Sequence, residues 1–392
     1  MKISFLEFSV ENFKIFKEKV TFSMIARKSG HTFEESGENI LKTSLIYGPN
    51  ASGKTSLLEA VLALRNRIVY NISQDPLMEK NLEVLGCAYT PFLLTDQSSN
   101  QDKNPIFLEA IFSIDNKIFR YNFSFLDTKI ITENLSEIIS SKEEKYYFKR
   151  VRQEIKVYFD FKKSKDVFDT KTRDDALFLK AASEWNNSLA MKIVGGFKDI
   201  NIIKGTNSGY RGYTMGFIQD TVNKNMILDY LKKADFCIDD IILDNGRVSF
   251  VHNRFDLNGK KNGTIKFGFE NESIGTQKFF DILGPIFDTL ANGRVLFIDE
   301  FDNSLHPFLT KLIIDLFEKN NSKNAQLVVT THDTSLLSYK DLYREQFWFT
   351  EKNKFGSAKF FSLLEFKSIR NEMEFSKKYL EGRFGAVPFI DL

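Results

Sequence analysis

Cysteine is nearly absent from this 392-residue chain; Cys87 and Cys237 stand 150 positions apart. Two thiols so separated make no disulfide framework, and with only four histidines no Cys/His cluster has zinc-ligand spacing. Isolated thiols fit a reducing compartment, and the protein is expected in the cytoplasm. Long apolar runs are missing too. No stretch approaches the roughly 18 consecutive apolar residues of a bilayer-spanning helix, which argues against a membrane protein of that kind. The opening Met1–Lys2–Ile3–Ser4–Phe5 lacks the basic-then-apolar layout of a secretory leader, so none is expected. Charge of one sign is not in excess: 54 Lys and Arg oppose 52 Asp and Glu, and a net +2 argues neither for nor against nucleic acid. No internal repeat is visible, and no heptad run is long enough for a coiled-coil arm. What remains is an ordinary globular balance, 42% hydrophobic and 27% charged, in a chain long enough to bury a large core without staples. The forty phenylalanines are a compositional bias from which no function is read.

Along the chain, Ile3, Phe5, Phe8 and Val10, then Val20, Phe22 and Met24, alternate as two strands joined around Asn12–Lys19. Ser44–Tyr47 is a short buried strand, followed by a glycine-containing loop and a helix whose apolar face is Leu57, Leu58, Val61, Leu62 and Leu64. Residues 106–125 predict a hairpin turning at Asp115–Asn116, and 129–161 continue with strand residues. Residues 173–235 carry helical spacing, with Gly205–Gly216 read as a loop. Strands return over 238–243, 247–252 and 264–270, then a helix over Gln277–Leu290 with an expected kink at Gly284–Pro285. The chain then alternates strand, helix, strand at 294–298, 307–317 and 326–330, which argues for a parallel sheet. The expected units are an N-terminal lobe over 1–172 with an antiparallel sheet, a helical insert over 173–242, and a C-terminal lobe over 243–392.

Gly48–Pro49–Asn50–Ala51–Ser52–Gly53–Lys54–Thr55 matches G-x-x-x-x-G-K-[ST], placed after a strand and opening a helix. There, backbone N–H groups and the helix N-terminus favour a phosphate chain, with Ser56 in the first turn. Lys54 would reach the β- and γ-phosphates of ATP, and the Thr55 hydroxyl would ligate Mg²⁺. Val295–Leu296–Phe297–Ile298–Asp299–Glu300 is an apolar strand ending in two carboxylates, a Walker B pattern. Asp299 would hold the Mg²⁺ shell, and Glu300 would orient or deprotonate the attacking water. His332 follows the strand Gln326–Thr330 and could contact a γ-phosphate, though a lone histidine is more often structural. His31, His252 and His306 read as structural or surface residues. Ser273–Ile274–Gly275–Thr276 opens a helix and offers either a second anion site or an ordinary N-cap.

The order of these segments, with Asp302–Asn303–Ser304–Leu305 after Walker B, resembles the ABC ATPases, most closely the heads of SMC, RecF and OLD-type proteins. The opening Phe8–Lys14 is similar to their first strand and turn. Tyr379–Leu380–Glu381–Gly382–Arg383–Phe384–Gly385–Ala386–Val387–Pro388 resembles stand-alone bacterial ATPases of the AAA family found in abortive-infection and other anti-phage loci. The resemblance is strong at 44–60 and 271–335 and weak at 90–240. It implies an α/β P-loop NTPase of ABC-head type, with a mixed or antiparallel β subdomain and a helical insert. It also implies that Ser273 and Gly275 form the signature loop meeting a partner's γ-phosphate, that Asp302–Asn303–Ser304 form the D-loop, and that His332 is the switch histidine. The signature departs from Leu-Ser-Gly-Gly-Gln, with Ile274 at the first Gly and Thr276 at the Gln. Gln74 and Gln97 are both candidates for the Q-loop.

The expected activity is ATP hydrolysis with ATP and Mg²⁺, in a homodimer or higher homo-oligomer that closes on ATP. The expected role is control of a separate effector, a nuclease or toxin, in anti-phage defence. A RecF- or SMC-like DNA-repair ATPase and a slow-turnover assembly scaffold are the alternatives. Lys142–Lys165 interleaves Lys and Arg with Tyr and Phe, but Glu143, Glu144, Glu154 and Asp160 dilute its charge, so a solvated strand face is the better reading. Nucleic acid stays open as a partner.

Overall fold

The computed structural model describes residues 2–27, 32–70, 82, 85–94, 104–158, 161, 172–204, 210–234, 236–366 and 375–387. Gln74, Gln97, His31, Asp160 and Pro388 lie outside them. Two sheets face one another. The first has seven antiparallel strands: β1 (Ser4–Glu11), β2 (Val20–Ser23), β6 (Ile106–Ile114), β7 (Lys117–Leu126), β8 (Lys129–Ser140), β9 (Glu143–Val151) and β10 (Glu154–Val157), in the order β10-β9-β8-β7-β6-β1-β2. Asp115 and Asn116 both adopt positive φ, 52° and 58°, the mirror-image two-residue turn whose twist suits a hairpin. Alternation decides the faces: Phe119, Tyr121, Phe123 and Phe125 are buried on one side, while Asn122 and Asn134 hydrogen-bond across the other at 2.9 Å.

The second sheet has six strands: β5 (Thr43–Tyr47), β11 (Ile200–Ile203), β15 (Val295–Ile298), β16 (Gln326–Thr330), β17 (Phe347–Lys352) and β18 (Ala358–Ser362), in the order β11-β15-β16-β5-β17-β18. All pairings are parallel except the β17–β18 hairpin. Every residue of β5, β15 and β16 is buried, as expected of parallel strands covered on both faces. Two contacts lock the sheets together. The Gln326 amide accepts from the Phe5 N–H at 2.7 Å and donates to the Phe5 carbonyl at 2.8 Å, and the Phe5 ring meets Phe297 edge-on at 5.4 Å. A short pair, β3 (Thr32–Glu35) and β4 (Glu38–Leu41), and a three-stranded sheet, β12 (Ile238–Asp244), β13 (Arg247–Phe255) and β14 (Lys261–Gly268), complete the strands.

The α-helices among the described residues are α1 (Lys54–Val69), α2 (Phe178–Glu184), α3 (Ser188–Lys198), α4 (Arg211–Phe217), α5 (Thr221–Lys233), α6 (Ile274–Asn292), α7 (Pro307–Lys319) and α8 (Phe375–Leu380). The stretch expected to be helical between 173 and 235 contains a strand as well. β11 pairs in parallel with β15, almost a hundred residues downstream, and four residues without periodicity carry no signal for such a long-range partner. Part of the expected loop Gly205–Gly216 is helix α4. The helices of this segment serve two cores: α2 and α3 bury Phe178, Leu179, Ile193 and Phe197 beneath the seven-stranded sheet, whereas α5 buries Ile227 and Leu231 with the six-stranded sheet and α6.

Pro285 does sit inside α6, which runs on through it. Its missing N–H leaves the Asp281 carbonyl without a helical partner. The Thr214 hydroxyl on α4 donates to that carbonyl at 2.8 Å and accepts from the Gly284 N–H at 3.2 Å. Gly284 permits the approach, since a Cβ there would lie 2.4 Å from Thr214 Oγ1. At the other end of the chain, Tyr379 packs on Tyr47 and Phe349 with ring centroids 5.8 and 5.6 Å away, and its hydroxyl donates to the Ala386 carbonyl at 2.8 Å. The C-terminal segment thereby covers β5 and β17.

Candidate nucleotide site

β5 delivers the chain into the loop Gly48–Gly53, and α1 begins at Lys54. Gly48 and Gly53 have φ of 156° and 121°. A Cβ on Gly48 would lie 2.4 Å from the Thr350 carbonyl, and one on Gly53 would lie 2.9 Å from Ile15 Cδ1, so neither position admits another residue without displacement. Ala51 also has positive φ, 59°. The Thr350 hydroxyl donates to the Ser52 carbonyl at 2.6 Å, tying the loop to β17. The Lys54 ammonium donates to the Gly48 carbonyl at 2.7 Å and the Pro49 carbonyl at 3.1 Å, which folds its stem over the loop. Ser52 is buried, and its hydroxyl has no hydrogen-bond partner among the described residues. Asn50, Ala51 and Thr55 are exposed, and Ser56 is half-buried.

Asp299 and Glu300 end β15 beside the loop. The buried Asp299 carboxylate accepts from the Thr330 hydroxyl at 2.5 Å, and the same hydroxyl accepts from the Glu300 N–H at 2.8 Å. Thr330 therefore sets the angle between the two acids, a role that nothing in the sequence singled out, because a threonine ending a strand is unremarkable until β16 and β15 are paired. Glu300 has φ of 48°, a left-handed conformation that costs roughly 1 kcal/mol or more in a non-glycine residue and is found disproportionately at working sites. The Asp302 carboxylate accepts from the His332 N–H at 3.1 and 3.2 Å, so D-loop and histidine are bonded through the backbone. Asp333 anchors the next turn, accepting from the Thr310 hydroxyl at 2.9 Å.

Charge ties these groups into one site. Burial pushes the Lys54 ammonium down to about 8, and Asp299, Asp302 and Glu300 offset part of that. Burial, reinforced by the Lys54 charge, lowers the His332 imidazole, so the ring is neutral at pH 7. Lys54, Asp299, Glu300, Asp302 and His332 thus share one electrostatic neighbourhood. Lys278, on the second turn of α6, joins it: burial lowers its pKa, and Glu300 and Asp302 are its leading opposing charges. No sequence pattern pointed to Lys278. A cavity of about 660 Å³ lined by Glu7, Arg27, Glu38 and Trp348, among others, contains none of these residues.

The remaining candidates lie at the surface. The Ser273 hydroxyl accepts from the Thr276 N–H at 3.1 Å and so caps α6 within its own chain. A Cβ on Gly275 would lie 3.1 Å from the Ser304 carbonyl, which places the signature segment against the D-loop. Ser273, Ile274, Asn303 and Ser304 are all exposed. Among the described residues no His, Cys, Asp and Glu cluster of three or more could hold a metal ion, and no helix is long and apolar enough to cross a membrane. Of the two cysteines, Cys87 is buried and Cys237 exposed.

Solved structures of similar outline include an SMC head domain from Thermotoga maritima, with 12% identity and a TM-score of 0.43 over 92% of this chain and 99% of that one. Another is the Smc head domain with an extended coiled coil bound to the C-terminal domain of ScpA, derived from Pyrococcus furiosus, with 13% identity and a TM-score of 0.46 over 97% and 100%. None of the curated proteins matches this chain. Residues 44–338, from the strand before the P-loop to the turn after His332, match the family described as "AAA domain, putative AbiEii toxin, Type IV TA system". With a P-loop after β5 and Walker B acids after β15, parallel strands that flank β16, and a match over most of its length, the chain belongs to that AAA-domain family.

Proposed function

We propose that this chain hydrolyses ATP with Mg²⁺, that two copies close head to tail on the nucleotide, and that a separate effector protein reads the closed state. What supports the reading is that a second set of candidate residues is exposed to solvent rather than gathered at the P-loop. Lys54, Asp299, Glu300 and His332 gather at the P-loop, while Ser273, Ile274 and Ser304 are exposed, Ile274 to 72%. One chain supplies the first set, and a second copy would supply the other.

The residues fit a triphosphate and a divalent cation. Two glycines hold open a cradle that a Cβ would fill, the buried Ser52 hydroxyl lacks a partner among the described residues, and the Lys54 ammonium donates to the Gly48 and Pro49 carbonyls of the loop. Mg²⁺ would supply charge neutralisation of the phosphate oxygens, and Thr55 with Asp299 would hold it. Lys54 would leave the Gly48 and Pro49 carbonyls for the terminal phosphates. Glu300, with its backbone fixed by Thr330, would accept a proton from the attacking water. The neutral His332 ring would bond the terminal phosphate while Asp302 holds its N–H. Ser273 and Gly275 of the second copy would close over the same phosphate. The family description, with its AbiEii toxin of a type IV system, and the resemblance to anti-phage ATPases support an effector in anti-phage defence.

The test is the solution mass of Glu300→Gln with Mg²⁺, with and without ATP, by light scattering. A shift from monomer to dimer on adding ATP is expected, since binding is kept and turnover stopped. An unchanged mass and shape despite confirmed nucleotide binding would falsify the head-to-tail reading and leave Ser273 as a helix cap alone.

A further inference from the structure

The hairpin β13–β14 carries a charge that the whole chain does not. From Arg247 to Gly268 it holds Arg247, Arg254, Lys260, Lys261 and Lys266 against a single acid, Asp256, in a protein of net charge +2. That acid is consumed locally: its carboxylate accepts from the Asn258 and Lys260 N–H groups, both at 2.9 Å, and shapes the turn. Lys261 has one distant carboxylate, Asp239 at 3.8 Å. Arg247, Arg254, Lys260 and Lys266 have no ion pair among the described residues.

The hairpin is also an arm. β12 pairs with β13 only as far as His252, and beyond that point two strands run on alone to the tip. β14 is the outer strand of its sheet, and Lys261 to Phe267 are all exposed. Phe255 is 60% exposed and Leu257 fully so, both at the tip. Lysines on an edge strand discourage pairing with other strands, but that purpose calls for no apolar side chains at the end of the arm. Charge and apolar tip together suit a partner that is polyanionic and offers a groove or a base step to an apolar wedge. A two-stranded ribbon also matches the width of a duplex major groove.

The root of the arm is fixed. His252 Nε2 lies 2.6 Å from a Glu272 carboxylate oxygen, and the His252 ring packs on Phe267 at 4.9 Å. Glu272 immediately precedes Ser273, so the arm stands directly on the segment that opens α6.

We infer that the β13–β14 arm binds duplex nucleic acid, with Arg254, Lys260 and Lys261 on backbone phosphates and the Phe255–Leu257 tip against the groove. This goes beyond the ATPase reading and does not depend on it.

The experiment is fluorescence anisotropy of the full chain, without nucleotide, against a labelled duplex DNA of arbitrary sequence over a range of salt. A triple variant Arg254→Ala/Lys260→Ala/Lys261→Ala should bind at least about tenfold more weakly at low salt, with a salt slope smaller by about three. A control, Lys149→Ala/Lys156→Ala on the far sheet, should bind as the wild type does. The substituted tip residues are exposed, and an unchanged melting temperature verifies the fold. The inference is overturned if wild-type protein shows no salt-sensitive duplex binding, if the triple variant binds equally well, or if the control loses as much affinity. Tighter binding to single-stranded DNA would overturn the groove assignment. Competition by polyglutamate as effective as that of duplex would assign the arm to acidic protein segments instead.

Discussion

Thr330 shows how much of this site rests on a single hydroxyl. It donates to Asp299 and accepts from the Glu300 N–H, so Thr330→Val, nearly equal in volume, removes both bonds at once. Turnover should fall by at least about tenfold while nucleotide binding through the P-loop persists, a split that steady-state kinetics alongside equilibrium binding will show. A different buried acid sets a pH dependence of stability. Glu318 is 1% exposed and accepts from Thr43 and Gln346 through one oxygen, while the other has no partner. Burial raises it from 4.5 to about 7, so the folded state prefers the protonated acid. The stability this confers is present in full below pH 4.5 and is lost as pH rises through 7, a change of about 3 kcal/mol. Melting temperatures measured from pH 5 to 8 should fall more for the wild type than for Glu318→Gln. Parallel curves would show that Glu318 is not the titrating group.

At the scale of elements, α6 is the critical helix, because it carries Ser273 and Gly275 at one end and a proline break in the middle. The break is stable only because Thr214 reaches across from α4 and satisfies the Asp281 carbonyl. Thr214→Val keeps the shape but leaves the buried Asp281 carbonyl without its partner. It should cost about 2 kcal/mol, measured by urea unfolding. α4 itself is legible only in the fold. Arg211–Phe217 is rich in glycine, and the contacts that make it helical come from Gly284 and Asp281, some 70 residues away. β11 is similar: Ile200–Ile203 becomes a strand because β15 lies beside it.

For the whole molecule, the head-to-tail arrangement makes a prediction that no single-chain mechanism shares. Lys54→Ala disables the P-loop set, and Ser273→Arg blocks the exposed set while leaving its own nucleotide site intact. Each variant alone should be inactive. Mixed in equal amounts, they should regain up to about a quarter of wild-type turnover, because half the dimers are mixed and each of those has one competent site of two. No recovery on mixing, with both variants folded, would mean that each chain works alone.

The sequence alone determined the chemistry at the P-loop and Walker B, because backbone geometry there demands particular residues. Glycines must stand where a Cβ would strike Thr350, a lysine must open the helix, and carboxylates must end an apolar strand. It also determined the strands whose burial alternates and the hairpin at Asp115–Asn116, since both signals are local. Tertiary structure decided which distant segments meet. It put Thr330 between the two acids, Lys278 among the site's charges and Thr214 at the proline break, and it divided residues 173–235 between two cores. It also decided that Arg254, Lys260 and Lys261 stand together on one exposed arm. Those outcomes depend on long-range pairing, which is set by packing and leaves no mark in any short window of residues.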